Sequence, residues 1–109
     1  MNSNVIFLDK ENQINRVIKD QKKAERTMRV LFVSLWDKWA STLVDSLEDY
    51  ERYSPLHVVN SFTMPHAFVI YNVTKTPTLI TLYKDRYTKE DYLPNIYSEL
   101  GCEPVTFSI

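Results

Sequence analysis

The 109-residue chain carries a single cysteine, Cys102. No intrachain disulfide framework can form, and no pair of thiols within the chain can exchange a disulfide. It carries a single glycine, Gly101. That excludes a glycine-rich phosphate loop and a dinucleotide-binding fingerprint, both of which need several glycines close together. Its longest apolar runs, such as Val30 to Val33, are far too short to cross a bilayer. Formal charge sums to −1, so no basic surplus points to nucleic acid. The first residues, Met1-Asn2-Ser3-Asn4, lack the charged-then-apolar order of a signal peptide. A soluble protein of a reducing cytoplasm, with no membrane and no nucleic-acid partner, is the expectation. The length suits one compact domain spanning residues 1–109.

What is present alternates. Asn4 to Leu8 is short, apolar and β-branched, and reads as a buried strand. Asp9 is a candidate cap for a helix whose stripe is Ile14, Val17, Ile18 and, weakly, Ala24. Its other face carries Lys10, Glu11, Arg16, Lys19, Lys22 and Lys23 and reads as solvated. Met28 to Ser34 holds four consecutive apolar residues, the mark of a strand buried on both sides. Leu43, Val44, Leu47 and Tyr50 then recur at helical spacing, up to the Ser54-Pro55 break. On that helix Asp45, Glu48, Asp49 and Glu51 read as a solvated face.

Leu56 to Ser61 is a third strand. A short helix starts near Thr63 or Met64 with Pro65 in its first turn, buries Ala67, Phe68 and Tyr71, and ends at Asn72. Val73 to Pro77 is a loop, and Thr78 to Tyr83 a fourth strand. Asp91 is a candidate cap for a last helix with Pro94 at its third position, a stripe of Leu93, Ile96, Tyr97 and Leu100, and Gly101 as its stop. Too few residues separate Tyr83 from Asp91 for a full strand, so a very short strand or the alternating tail Val105 to Ile109 is expected on that edge. The pattern predicts an α/β sheet with helices on both faces and its first three strands parallel.

Leu35-Trp36-Asp37-Lys38-Trp39 follows the second strand and looks like the F-W-A-x-W segment of the thioredoxin superfamily. Tyr71-Asn72-Val73-Thr74-Lys75-Thr76-Pro77-Thr78 is similar to that family's Y-G-I-x-x-x-P-T. The resemblance covers Val5 to Gly101. It implies a three-layer sandwich around a central mixed sheet, and a cis Pro77 facing the Ala40 region. The family's C-G-P-C falls on Ala40-Ser41-Thr42-Leu43, and its buried strand acid on Ser34. Nucleophile, resolving thiol and proton relay are thus all replaced by residues that cannot do their work. Redox catalysis, and enzymatic activity of that kind, is therefore not expected.

By the same resemblance Trp36 packs beneath the site and Trp39 lies at its rim, where both an interface and a core role are open. Ser41 and Thr42 sit at a helix start, where capping is favoured over anion binding. The expected groove is formed by Trp36, Trp39, Ala40, Ser41, Thr42, Thr76 and Pro77. It implies a protein partner, with no cofactor and no metal. His57 and His66 are isolated in sequence and read as structural or surface residues. Two alternatives remain: a thiol- or glutathione-dependent enzyme using Cys102 or Ser41, and a subunit of a larger assembly, including a viral one. Cys102 itself reads as a bystander, with Glu103 beside it opposing thiolate formation.

Overall fold

The structure is a computed structural model; it describes residues 5–24, 27–34, 43, 47, 56–83 and 86–101. Its strands are β1 (Val5–Leu8), β2 (Met28–Val33), β3 (Leu56–Asn60), β4 (Thr78–Tyr83) and β5 (Arg86–Glu90). Its helices are α1 (Glu11–Ala24), α2 (Pro65–Ile70) and α3 (Leu93–Leu100). The five strands form one sheet in the order β1-β3-β2-β4-β5. β3 lies parallel between β1 and β2, while β4 and β5 run antiparallel, so the sheet is mixed.

β2 is the spine. Its residues alternate between two cores because successive side chains leave opposite faces of a strand. Val30 and Phe32 point into the layer closed by Ile14 of α1 and Ala67 of α2. Leu31 and Val33 point into the layer closed by Ile96, Tyr97 and Leu100 of α3, together with Leu43 and Leu47. Helices therefore cover both faces, as the alternation of elements predicts.

β1 departs from expectation. It is a strand, but Ile6 and Phe7 are 42% and 62% exposed. With β3 inserted beside β2, β1 has a single strand neighbour among the described residues and lies at an edge of the described sheet. An all-apolar run does not distinguish an edge from the middle of a sheet. At the other edge, β5 is a full five-residue strand, which corrects the expectation of a very short strand or a substituted tail. Tyr83 pairs with Arg86, so only two positions separate the strands, and a hairpin that tight leaves enough chain for the ladder. The tail 102–109 and Asn4 lie outside the described residues.

Helix starts differ in detail. α1 begins at Glu11, and the bonds at its start come from Gln13, whose Oε1 accepts the Asp9 and Lys10 N–H groups at 2.8 and 2.9 Å. This is the reach-back half of a capping box, made by the third helical residue. α3 is capped at Tyr92 and not Asp91, which puts Pro94 at the second helical position. The acceptor here is Glu90, which takes the Tyr92 N–H at 3.3 Å and the Asn95 amide at 2.8 Å. α2 starts as expected, with Met64 at the cap and Pro65 first.

Gly101 ends α3 at φ 72° and ψ 20°, a conformation that a Cβ disfavours. Gly101→Ala is expected to cost about 1 kcal/mol, read as a fall in thermal midpoint of about 4–8 °C for a domain of this size. An unchanged midpoint would contradict the assignment of this stop.

Candidate functional site

The candidate site lies where the C-terminal ends of β2 and β3 meet the start of β4. The Ser61 N–H donates to the Val33 carbonyl at 2.9 Å, which holds the chain leaving β3 against the end of β2. Phe32 pairs with Thr78 across the β2–β4 ladder, so Thr76 and Pro77 arrive at the same end. Ser34, the Ser61–Phe62 turn and the Thr76–Pro77 turn are thus brought together.

Each turn is fastened locally. Asn60 turns the chain after β3: its Oδ1 accepts the Phe62 N–H at 3.0 Å and its carbonyl accepts the Met64 N–H at 2.8 Å. Met64 is fully buried and Phe62 is 68% exposed, so the turn sends one large side chain inward and the next outward. In the second turn, Asn72 adopts φ 55° and its carbonyl accepts Lys89 Nζ of β5 at 3.1 Å. Val73 is buried, and the buried Thr78 hydroxyl donates to the Lys75 carbonyl at 2.7 Å. The Thr76–Pro77 bond is cis. Pro77 is buried and Thr76 half-buried. Lys75 and Asp91 approach at 4.0 Å, both well exposed, and such a pair contributes little.

Of the residues expected to form the groove, the described ones are Thr76 and Pro77. Trp36, Trp39, Ala40, Ser41 and Thr42 lie outside the described residues. Leu43, at the position of a resolving thiol in the resemblance, has no exposed surface and packs with Leu31, Val33 and Ile96. Cys102 also lies outside the described residues. Ser34 is half-buried.

Besides the exposed Lys75–Asp91 pair, the described residues of the site offer hydroxyls and backbone amides. His57 pairs with Val30, three residues before Val33, and so stands about 10 Å down the strand from the site. Burial lowers the His57 pKa, opposed in part by a hydrogen bond to the Arg29 backbone. His66 is exposed on α2, and its backbone N–H donates to Glu11 Oε1 at 3.1 Å. His57 is therefore not placed to activate a hydroxyl at the sheet end. No cluster of three metal-ligating side chains occurs among the described residues. None of their helices is long and apolar enough to cross a membrane.

Phe62 is the rim residue that sequence reading missed. Its signal was a lone aromatic directly after a strand, inside a stretch without charge from Tyr53 to Thr74.

A mixed five-stranded sheet with parallel β1, β3 and β2, antiparallel β4 and β5, helices on both faces and a proline turn leading into β4 is the thioredoxin fold. The chain is similar to thioredoxin from Schistosoma mansoni, with a TM-score of 0.77 at 13% identity, over 89% of this chain and 93% of that one. Thioredoxin NaTrxh from Nicotiana alata matches with a TM-score of 0.76 at 11% identity, over 91% of each chain. Oxidised thioredoxin O2 from Arabidopsis thaliana matches with a TM-score of 0.68 at 16% identity, over 93% of this chain and 95% of that one. No protein-family model and no curated protein matches the sequence. The likeness is therefore one of fold, in a chain with a single cysteine.

Proposed function

We propose that this protein is a redox-inactive binding module that uses the sheet-end groove around Trp39 and Pro77 to hold an extended segment of a protein partner. The observation that carries the reading is the fate of the two sulfur positions. Ala40 replaces the nucleophile of the resemblance, and Leu43, in place of the resolving thiol, is sealed in the core. A buried leucine there stabilises packing and offers no exchange chemistry. The turns that frame the groove are nevertheless fastened by specific bonds, from Ser61 to Val33, Thr78 to Lys75 and Lys89 to Asn72. Extended segments bind such frames through backbone hydrogen bonds, which need no sulfur.

The test combines affinity capture from the native host with an insulin-reduction assay. Partners captured by the wild-type protein should fall by about tenfold or more with Trp39→Ala, as for a central aromatic anchor. Pro77→Ala, on the opposite side of the proposed groove from Trp39, should act in the same direction. Insulin reduction should stay at background. Partner recovery unchanged in both variants would remove the groove as the site. Reductase activity lost in Cys102→Ser would return the reading to an enzyme.

A further inference from the structure

The surface of α2 does not look like a solvated helix face. From Tyr53 to Thr74 the sequence contains no Asp, Glu, Lys or Arg. Within that stretch Phe62, Val69 and Ile70 are 68%, 75% and 56% exposed. His66, Val69 and Ile70 are exposed on α2, and Phe62 lies in the turn that leads into it. Together they expose apolar surface on the order of 300 Å², a size at which patches on monomers tend to serve a function.

The neighbouring helix supplies charge. Within α1, Arg16, Lys19, Lys22 and Lys23 outnumber Glu11 and Asp20. Glu11 also faces α2, since its Oε1 accepts the His66 N–H. By helical spacing, Asn15, Lys19 and Lys22 follow Glu11 along the flank that borders α2, while Arg16 and Lys23 point to solvent. Ile18, on the same flank, and Phe68 of α2 are half-buried and packed against one core. The uncharged, partly apolar surface of α2 thus lies beside Lys19 and Lys22 of α1, with Ile18 and Phe68 partly buried in the core beneath.

We infer that this α1–α2 face docks an amphipathic helix of a protein partner whose apolar stripe is bordered by acidic side chains. The charge of α1 selects the acidic border and the uncharged ridge of α2 selects the apolar stripe. A helix fits better than an extended segment, because this layer presents side chains and no sheet edge. It also fits better than a lipid surface, because a rod about 10 Å across reaches the half-buried Ile18 and Phe68, which a flat bilayer does not. The α1–α2 face adjoins the Pro77 groove only through Phe62, and the inference does not depend on that groove.

The probe is a fluorescein-labelled amphipathic peptide of leucine and glutamate, about five helical turns long, titrated against the full chain by anisotropy. A leucine–lysine peptide of equal length and phosphatidylserine–phosphatidylcholine vesicles form the other arms. The acidic peptide should bind, with affinity that falls as salt rises. Val69→Asp and Lys19→Glu should each weaken it by about tenfold. Tyr87→Asp on β5 should leave it unchanged. Amide shifts on binding should centre on Val69 and Ile70. All substituted side chains are exposed, and circular dichroism confirms that each variant is folded. Four results would overturn the inference: equal binding of the lysine peptide, shifts centred on Thr76, binding of vesicles without peptide, or dimerisation abolished by Val69→Asp.

Discussion

Phe32→Ala is expected to destabilise the fold by about 3–5 kcal/mol, the largest effect of any single truncation on the α1–α2 side of the sheet. Phe32 has no exposed surface and sits on the central strand. Its ring meets Phe68 edge-on, with centroids 5.1 Å apart at 83°, and Tyr71 at 5.9 Å and 53°. Each such pair adds about 0.5–1.5 kcal/mol beyond the area it buries. The cavity left by alanine would be bordered by a strand on one side and short α2 on the other, and β2 cannot collapse without disturbing two ladders.

The measurement is a urea unfolding series. The midpoint should fall with an unchanged slope, which marks a loss of stability rather than of compactness. Phe32→Leu should fall between wild type and alanine, since it keeps aliphatic volume and loses both ring pairs. Phe62→Ala is the contrast, because that ring is mostly in solvent and its loss should stay within about 0.5 kcal/mol. A Phe32→Ala cost below about 1 kcal/mol would mean that α2 is not held through this ring.

Phe32 also shows why much of the fold could be read from the chain. Four consecutive apolar residues on β2 signal burial on both faces, and the two cores divide them by alternation. The last helix was legible for a similar reason: Ile96, Tyr97 and Leu100 recur on one stripe and Gly101 stops it. β1 and β5 were misread because edge position is a property of the assembled sheet. Val5 to Leu8 carries the same apolar signal as a central strand, yet among the described residues its only strand neighbour is β3. Arg86 to Glu90 carries almost no apolar signal, because charge on an edge strand discourages pairing with other chains.

The site was legible unevenly. Thr76 and Pro77 could be placed because a proline before an apolar strand is a local pattern. Phe62 could not, because exposure depends on how Asn60 turns the chain and on Met64 taking the inward position. The caps followed the same rule. Asp9 and Asp91 have suitable side chains, but Gln13 and Glu90 reach the free N–H groups, and sequence spacing does not rank such competitors.

His57 gives the second large effect, a loss of stability in mild acid. It is 5% exposed on β3, between Ile6 of β1 and Val30 of β2. On the same side of the sheet α1 contributes Gln21, also buried. Arg29 points to the opposite side, where its guanidinium donates to the Glu99 carbonyl of α3 at 2.7 Å and gives His57 no counter-charge. The His57 Nδ1 is buried without a hydrogen-bond partner among the described residues. Desolvation therefore pushes the imidazole below its ordinary value of 6.5, with the Arg29 backbone hydrogen bond opposing in part. The unfolded chain takes up the proton near the ordinary value, and the folded chain only at lower pH. Unfolding thus takes up a proton between those two values, so this contribution is complete above 6.5 and falls as pH drops below it. The slope from one such group is up to about 1.4 kcal/mol per pH unit, and it ends once the folded histidine also protonates. Urea midpoints measured from about pH 7.5 to about pH 5 should show this decline in the wild type, and His57→Gln should flatten it. A wild-type profile that His57→Gln leaves equally steep would place the acid sensitivity elsewhere. The lesion has a definite location, because a charged imidazole would be desolvated on β3, the strand that, among the described residues, joins β1 to the rest of the sheet.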